Sequence, residues 1–444
     1  MVATDTSTAA APGTGTPSQD VPTVRPHALP EGYRTVPVPA ERVEEYLAVD
    51  ALAFAMATTP ELQAQLPFTV PVDRAMGVEG PDGGLAAVHG SYAFRMPVPG
   101  GDVACAGLTW VGVRPDHRRR GLLRSMIATH VERSLERGEP VSALWAAEPA
   151  IYGRFGYGSA ADSVTWDLTR GARLRDVPGS ADLRVHLRRA DGAHDGELVE
   201  RLHRAGAHRP GWMTRDSDVL RQRVFVDPVE WRHGAEALLL LTVATADGEP
   251  RGYALFARTE KWEPTGPAAS VRVKEVGALD AAAAHRVWSF LLDLDLTATV
   301  RTPSLALDDP LAALLVDPRG RGTLSDNLWV RLLDLPTALA ARRWSAPVDV
   351  VLEVTDALLP ANAGRWRLAT GEGAADGTRP AVLERTDAEA AVRLDVRELG
   401  AAYLGGRSFT ALAAAGLVRG DAAALRALDL AAGWPVAPLC SWVF

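Results

Sequence analysis

A strand that runs through a cluster of arginines directly into an amphipathic helix constrains this chain more than any other feature. Leu108, Thr109, Trp110, Val111, Gly112 and Val113 are followed by Arg114-Pro115-Asp116-His117-Arg118-Arg119-Arg120-Gly121-Leu122-Leu123-Arg124. From Leu122 the period changes: Leu122, Leu123, Met126, Ile127, His130, Val131, Ser134 and Leu135 share one helical stripe, and Gly138 ends it. Residues 141–147 read as the next strand. Strand, helix, strand in this order implies a right-handed crossover between parallel strands, and hence an α/β fold. The first turn of such a helix presents unpaired N–H groups and the positive end of its dipole, which suits a phosphate. Gly121 allows close backbone approach, and the arginines add charge-assisted bonds to a pyrophosphate or a nucleotide 3′-phosphate. A solvated arginine cluster over a surface helix is the plain alternative, and the placement between strand and helix favours the phosphate.

The rest of the chain reads as two further regions behind a tail. Residues 1–31, rich in Ala, Thr, Pro, Gly and Ser, cannot bury a core and are expected to be disordered. Region 32–170 holds a helix over 41–56, strands over 84–96 and 102–113 joined by the turn 97–101, and a strand over 163–168. Region 171–335 resembles a copy of it. A hairpin over 237–244 and 252–258 turns at 246–249, and a strand over 271–276 precedes a helix over 281–294. Between that strand and helix stands Gly277-Ala278-Leu279-Asp280, with no arginine–glycine run, so only the first copy is expected to hold a phosphate. Region 336–444 mixes strands (348–354, 366–369, 391–396) with alanine-rich helices and ends in an apolar, prolyl stretch, 434–444.

Composition narrows the function. The 444 residues carry 47 Lys and Arg against 55 Asp and Glu, a net charge of −8. That balance argues against nucleic acid and favours a cationic small molecule. Two cysteines, Cys105 and Cys440, and no apolar run of bilayer length fit a cytoplasmic protein without membrane attachment. No metal enters this reading.

The loop from Arg118 to Leu123 resembles the acetyl-CoA signature of the GNAT acetyltransferases, Arg-x-x-Gly-x-(Gly/Ala), with Arg118, Gly121 and Leu123 at the motif positions; Leu123 replaces the usual small residue. Together with Ala147-Glu148-Pro149-Ala150-Ile151-Tyr152-Gly153-Arg154-Phe155-Gly156-Tyr157-Gly158, it resembles the Eis (enhanced intracellular survival) family of aminoglycoside N-acetyltransferases over nearly the whole chain. The resemblance implies tandem GNAT folds, one active and one degenerate, followed by a sterol carrier protein-like α+β domain. The third region's Leu352 to Asp356, Pro360, Asn362, Gly364 and Trp366 look like the opening of that last domain.

The resemblance also implies the site. Acetyl-CoA would lie along Val111, Gly112 and Val113, with Arg118, Arg119, Arg120, Gly121, Leu122, Leu123 and Arg124 at its phosphates and Ala147 and Glu148, past the next strand, also in contact with it. The Val113 N–H would polarise the thioester carbonyl. Tyr152 would protonate the departing thiolate, and Phe444 would offer its α-carboxylate as the base. By position, Phe54, Trp110 and Trp442 are expected to wall the acceptor pocket, with Asp308 or Asp309 receiving ammonium groups. Family members often carry an acidic residue where this chain has Val443. The implied reaction is acetyl transfer to a primary amine of an aminoglycoside or similar polyamine, in a homo-oligomer, by resemblance a hexamer. Acetylation of a protein lysine or peptide amine is the alternative enzyme. A non-catalytic CoA- or lipid-binding carrier is the alternative of another kind.

Overall fold

The computed structural model describes residues 23–25, 27–56, 59–319 and 322–444, which build three main sheets. The first runs Arg34–Pro37, Ala75–Glu79, Leu85–Val98, Gly101–Val113, Val141–Leu144, Trp329–Leu332, Gly158–Ser159. Gly101–Val113 and Val141–Leu144 are parallel, joined by the helix Leu122–Glu136, which is the crossover expected from the changing apolar period. Gly138, at φ +72°, follows that helix. The second sheet repeats the arrangement: Ala269–Ala278 and Thr297–Arg301 are parallel across the helix Ala281–Leu292. The third sheet, Ala381–Arg385, Gly364–Thr370, Asp349–Thr355, Val392–Asp395, Val418–Gly420, carries three helices, Val396–Ala402, Phe409–Ala414 and Ala422–Ala432.

The first two sheets exchange strands. Asp162–Thr169 leaves the first region and lies in the second sheet, between Gly322–Asp326 and Thr297–Arg301. In return Trp329–Leu332 inserts into the first sheet between Val141–Leu144 and Gly158–Ser159. A boundary near residue 170 therefore does not separate two sheets. Period-2 alternation fixes which face a strand buries, not which neighbour it pairs with.

Part of the segment 1–31, expected as a tail, packs on the fold. Val24 is buried in a cluster with Tyr152 and Leu359, Leu29 packs near Leu122, and Arg25 donates its N–H to the Leu358 carbonyl at 3.0 Å. Composition averages such isolated apolar anchors away. Residues 1–22 and 26, where the rest of that expectation falls, lie outside the described residues.

The third sheet is bound to the first by a buried ion pair. Arg331 donates to both oxygens of Asp356 at 2.7 Å, and Asn362 bridges Asp356 to the Leu332 and Leu333 carbonyls. Removing one partner of so buried a pair leaves an uncompensated charge, at a cost of roughly 3–5 kcal/mol. The segment 439–444 then returns to the second region. Cys440 exchanges two hydrogen bonds with the Asn327 amide, Ser441 pairs with His203 at 2.7 Å, and the Trp442 indole donates to the Met213 carbonyl at 2.7 Å.

Candidate active site

The parallel strands of the first sheet part company early. Gly101–Val113 pairs with Val141–Leu144 only through Cys105, Ala106 and Gly107, so residues 108–113 leave that side of the backbone open. On the other side the register slips between Val88 and Gly90, and Trp110 takes φ +54°. Trp110 and Val111 thus stand opposite the single residue His89, a β-bulge that re-aims the strand just where it opens.

Beyond that strand the helix Leu122–Glu136 begins at Gly121, φ +82°, without a side-chain cap. Its first N–H groups are therefore available to an anion. Arg118, Arg119 and Arg124 are exposed, and among the described residues their side chains take part in no hydrogen bond or ion pair. Arg120 donates to the Tyr33 hydroxyl at 2.8 Å, and Arg114 is held by both oxygens of Asp116. A Cβ at Gly121 would come within 2.6 Å of His27 Nε2, so a side chain is excluded by space as well as by backbone. The second copy is closed to phosphate. There Asp280 caps Ala281–Leu292, accepting the Ala283 N–H at 2.8 Å, and is itself paired with Arg251. A carboxylate already occupies the dipole's positive end and would repel a second anion. The residues fit the pyrophosphate of acetyl-CoA in the first copy alone.

A cavity of about 820 Å³ opens between the first and second regions, and the segment 441–444 lines it. Tyr152, Phe444, Phe54, Trp110, Val111, Ala147 and Trp442 all face it. The Tyr152 ring is buried, and burial first, then the Glu148 carboxylate, push its hydroxyl up to about 12, so it stays protonated at neutral pH. The Phe444 ring lies edge-on to Phe94 at 5.0 Å and to Trp442 at 5.8 Å, and the Phe94 ring, with Phe444 beside it, fills the space that a Cβ at Gly107 would need.

Known proteins share this arrangement. One acetyltransferase (GNAT) domain profile matches residues 34–160 and a second matches 211–348, while a sterol carrier protein domain profile matches 335–441. An uncharacterized N-acetyltransferase of Streptomyces avermitilis is 42% identical over 358 residues, 78% of this chain and 83% of that one. The N-acetyltransferase Eis of Mycobacterium tuberculosis is 35% identical over 398 residues, 86% of this chain and 92% of its own. The chain belongs to the Eis family of GNAT N-acetyltransferases. The crystal structure of Eis1 from Mycobacterium abscessus superposes with a TM-score of 0.74 at 28% identity, covering 93% of this chain and all of that one. The protein is thus an acyltransferase with two GNAT domains and a sterol carrier-like domain, and the GNAT fold implies acetyl-CoA as donor. Among the described residues, no helix is long and apolar enough to cross a membrane.

The Eis-family frame sorts the remaining expected residues. Gly112, Val113, Arg118, Arg119, Arg120, Gly121, Leu122, Leu123, Arg124 and Glu148 lie along the open edge, the loop and the facing turn rather than in the cavity wall. Asp308 is elsewhere: it pairs with Arg209 and accepts the Ala437 N–H at 2.9 Å, so its charge is already met. Asp309 caps the helix Pro310–Leu314 through the Leu311 N–H at 2.9 Å, and burial raises it to about 6. Several wall residues escaped the sequence reading. Trp145 and Trp231 add aromatic surface; Arg215, Glu275, Arg223 and Lys274 come from the second GNAT domain. Arg215 is locked between Glu200 (2.8 Å) and Glu275 (2.8 and 3.0 Å), with the Tyr253 hydroxyl donating to Glu275 at 2.6 Å. Arg223 stacks over Trp442 and donates to the Val443 carbonyl. One signal was readable: Asp50 sits four residues after Tyr46, on the buried face of the helix Val43–Ala53. A carboxylate on an apolar face calls for a partner.

Proposed function

We propose that this Eis-family member transfers an acetyl group to a primary amine of a small cationic molecule seated in the 820 Å³ cavity. The observation carrying this reading is that Tyr152 and Phe444 line one cavity that reaches Val111 on the open strand edge. When bound, acetyl-CoA supplies the activated acetyl thioester. The chain's own groups do the rest. Backbone N–H groups at Val111 and Val113 hold and polarise, and Arg118 and Arg119 neutralise phosphate charge. The Tyr152 hydroxyl holds the proton that a leaving thiolate needs. The α-carboxylate of Phe444, beside buried rings that limit its hydration, takes the proton an ammonium must lose before it attacks. The aminoglycoside or polyamine version has weaker support, because Asp308 is engaged by Arg209 outside the cavity.

Tyr152→Phe tests the assignment. Release of CoA thiol is expected to fall by about 10²–10⁴-fold, with acetyl-CoA affinity unchanged, since only a proton donor is removed. A fall of less than threefold would make Tyr152 structural.

A further inference from the structure

The cavity holds a carboxylate that nothing among the described residues satisfies. Asp50 is 6% exposed and lines the cavity; among the described residues neither of its oxygens accepts a hydrogen bond or faces a cation in an ion pair. The Tyr46 hydroxyl, one turn earlier on the same helical face, is also buried with no hydrogen-bond partner among the described residues. Trp110 covers Tyr46 with ring centres 6.0 Å apart, and Phe68 meets both rings. A buried polar group without a partner is costly, and one that faces a cavity is placed to meet a ligand there.

The other charges on the wall do not share this freedom. Glu275 is spent on Arg215 and Tyr253. Three cationic side chains, Arg215, Arg223 and Lys274, face the Asp50 and Glu275 carboxylates and the Phe444 α-carboxylate, so the wall carries no net negative charge to hold several ammonium groups. A molecule bearing several ammonium groups would satisfy Asp50 once and then meet Arg223 and Lys274. Trp110, Trp145, Trp231, Trp442 and Phe54 provide faces for an apolar or aromatic body, and a lone ammonium near them gains cation–π attraction as well.

We propose that Asp50 anchors the acceptor, and that the acceptor is a monoamine, with a single ammonium on an aromatic or otherwise apolar body. The inference rests on the acetyl-transfer reading for its meaning, but the Asp50 site is defined by binding alone. Asp50 pairs with the ammonium, and the aromatic walls replace water around the carbon frame.

Calorimetry on the full chain saturated with CoA tests it, using 2-phenylethylamine and its neutral counterpart 2-phenylethanol as probes. The wild type is expected to bind the amine at least tenfold more tightly than the alcohol. In Asp50→Asn, and in Asp50→Ser as a second neutral variant, that ratio falls to about one while acetyl-CoA affinity holds. A ratio that survives both substitutions, or spermidine binding more tightly than 2-phenylethylamine, overturns the inference. Thiol release, followed in parallel, separates the two readings. Asp50-dependent amine binding without any thiol release from acetyl-CoA supports the anchor and overturns acetyl transfer. Release with spermidine alone supports acetyl transfer and overturns the monoamine class.

Discussion

Asp50→Asn should make the protein more stable, and only above a definable pH. Burial pushes the Asp50 carboxyl up to about 7 in the folded chain, against roughly 3.9 for an unfolded aspartate. Between those two values the folded state binds a proton that the unfolded state has released, so Asp50 makes stability fall as pH rises. Above pH 7 the penalty is complete, and a difference of roughly three pH units corresponds to about 4 kcal/mol. Unfolding entropy near 2.1 cal/mol/K per residue gives roughly 0.9 kcal/mol/K for a chain of this length, so the penalty is worth about 4 °C in Tm. Thermal unfolding of wild type and Asp50→Asn from pH 4.5 to 9 is the assay, and taking the difference removes every other titrating group. The two melting curves should nearly coincide at pH 4.5, diverge through pH 5–7, and run about 4 °C apart above pH 8 with the variant higher. A difference that is flat with pH, or a variant that melts lower at pH 8, would refute the argument that Asp50 is an unpaired buried acid.

Replacing Arg118 and Arg119 together with Ala should weaken acetyl-CoA binding at least tenfold, since each charge-assisted contact is worth roughly 1.5–3 kcal/mol; calorimetry should also find one acetyl-CoA per chain, because Asp280 closes the second copy. Extending the chain past Phe444 turns its α-carboxylate into an amide that cannot take up a proton. Turnover should collapse while acetyl-CoA affinity holds, and full activity in the extended protein across pH would remove Phe444 from the mechanism.

What the sequence made legible was local. The change of period at Leu122, the glycine at 121 and the stop at Gly138 each report a backbone requirement carried by neighbouring residues, and each is met in the fold. The closure of the second copy was also readable, since Asp280 follows its strand just where the first copy has Arg120 and Gly121. The misplaced Asp308 shows the limit. An aspartate's charge is visible in sequence, but its partner Arg209 lies 99 positions away. The walls contributed by Arg215, Arg223, Lys274 and Glu275 were hidden for the same reason, because they lie in the second GNAT domain, on the strand Ala269–Ala278 and the loop and helix before it, far in sequence from the open strand edge. Asp50 is the exception, a carboxylate whose misfit with its own helical face could be seen without knowing its neighbours.

The strand exchange has a consequence during synthesis. When Val141–Leu144 emerges from the ribosome, the strand that must pair beside it, Trp329–Leu332, has not yet been made. At ~5–20 residues per second, the wait from residue 144 to residue 332 lasts roughly ten to forty seconds. Throughout it an apolar sheet edge, Val-Ser-Ala-Leu, stands open to any other nascent chain. Asp162–Thr169 waits in the same way for Thr297–Arg301. Overproduction should therefore lose this protein to inclusion bodies through these two edges, and weaker induction, which lowers the number of nascent chains exposing them at once, should recover more of it than any substitution in the cavity.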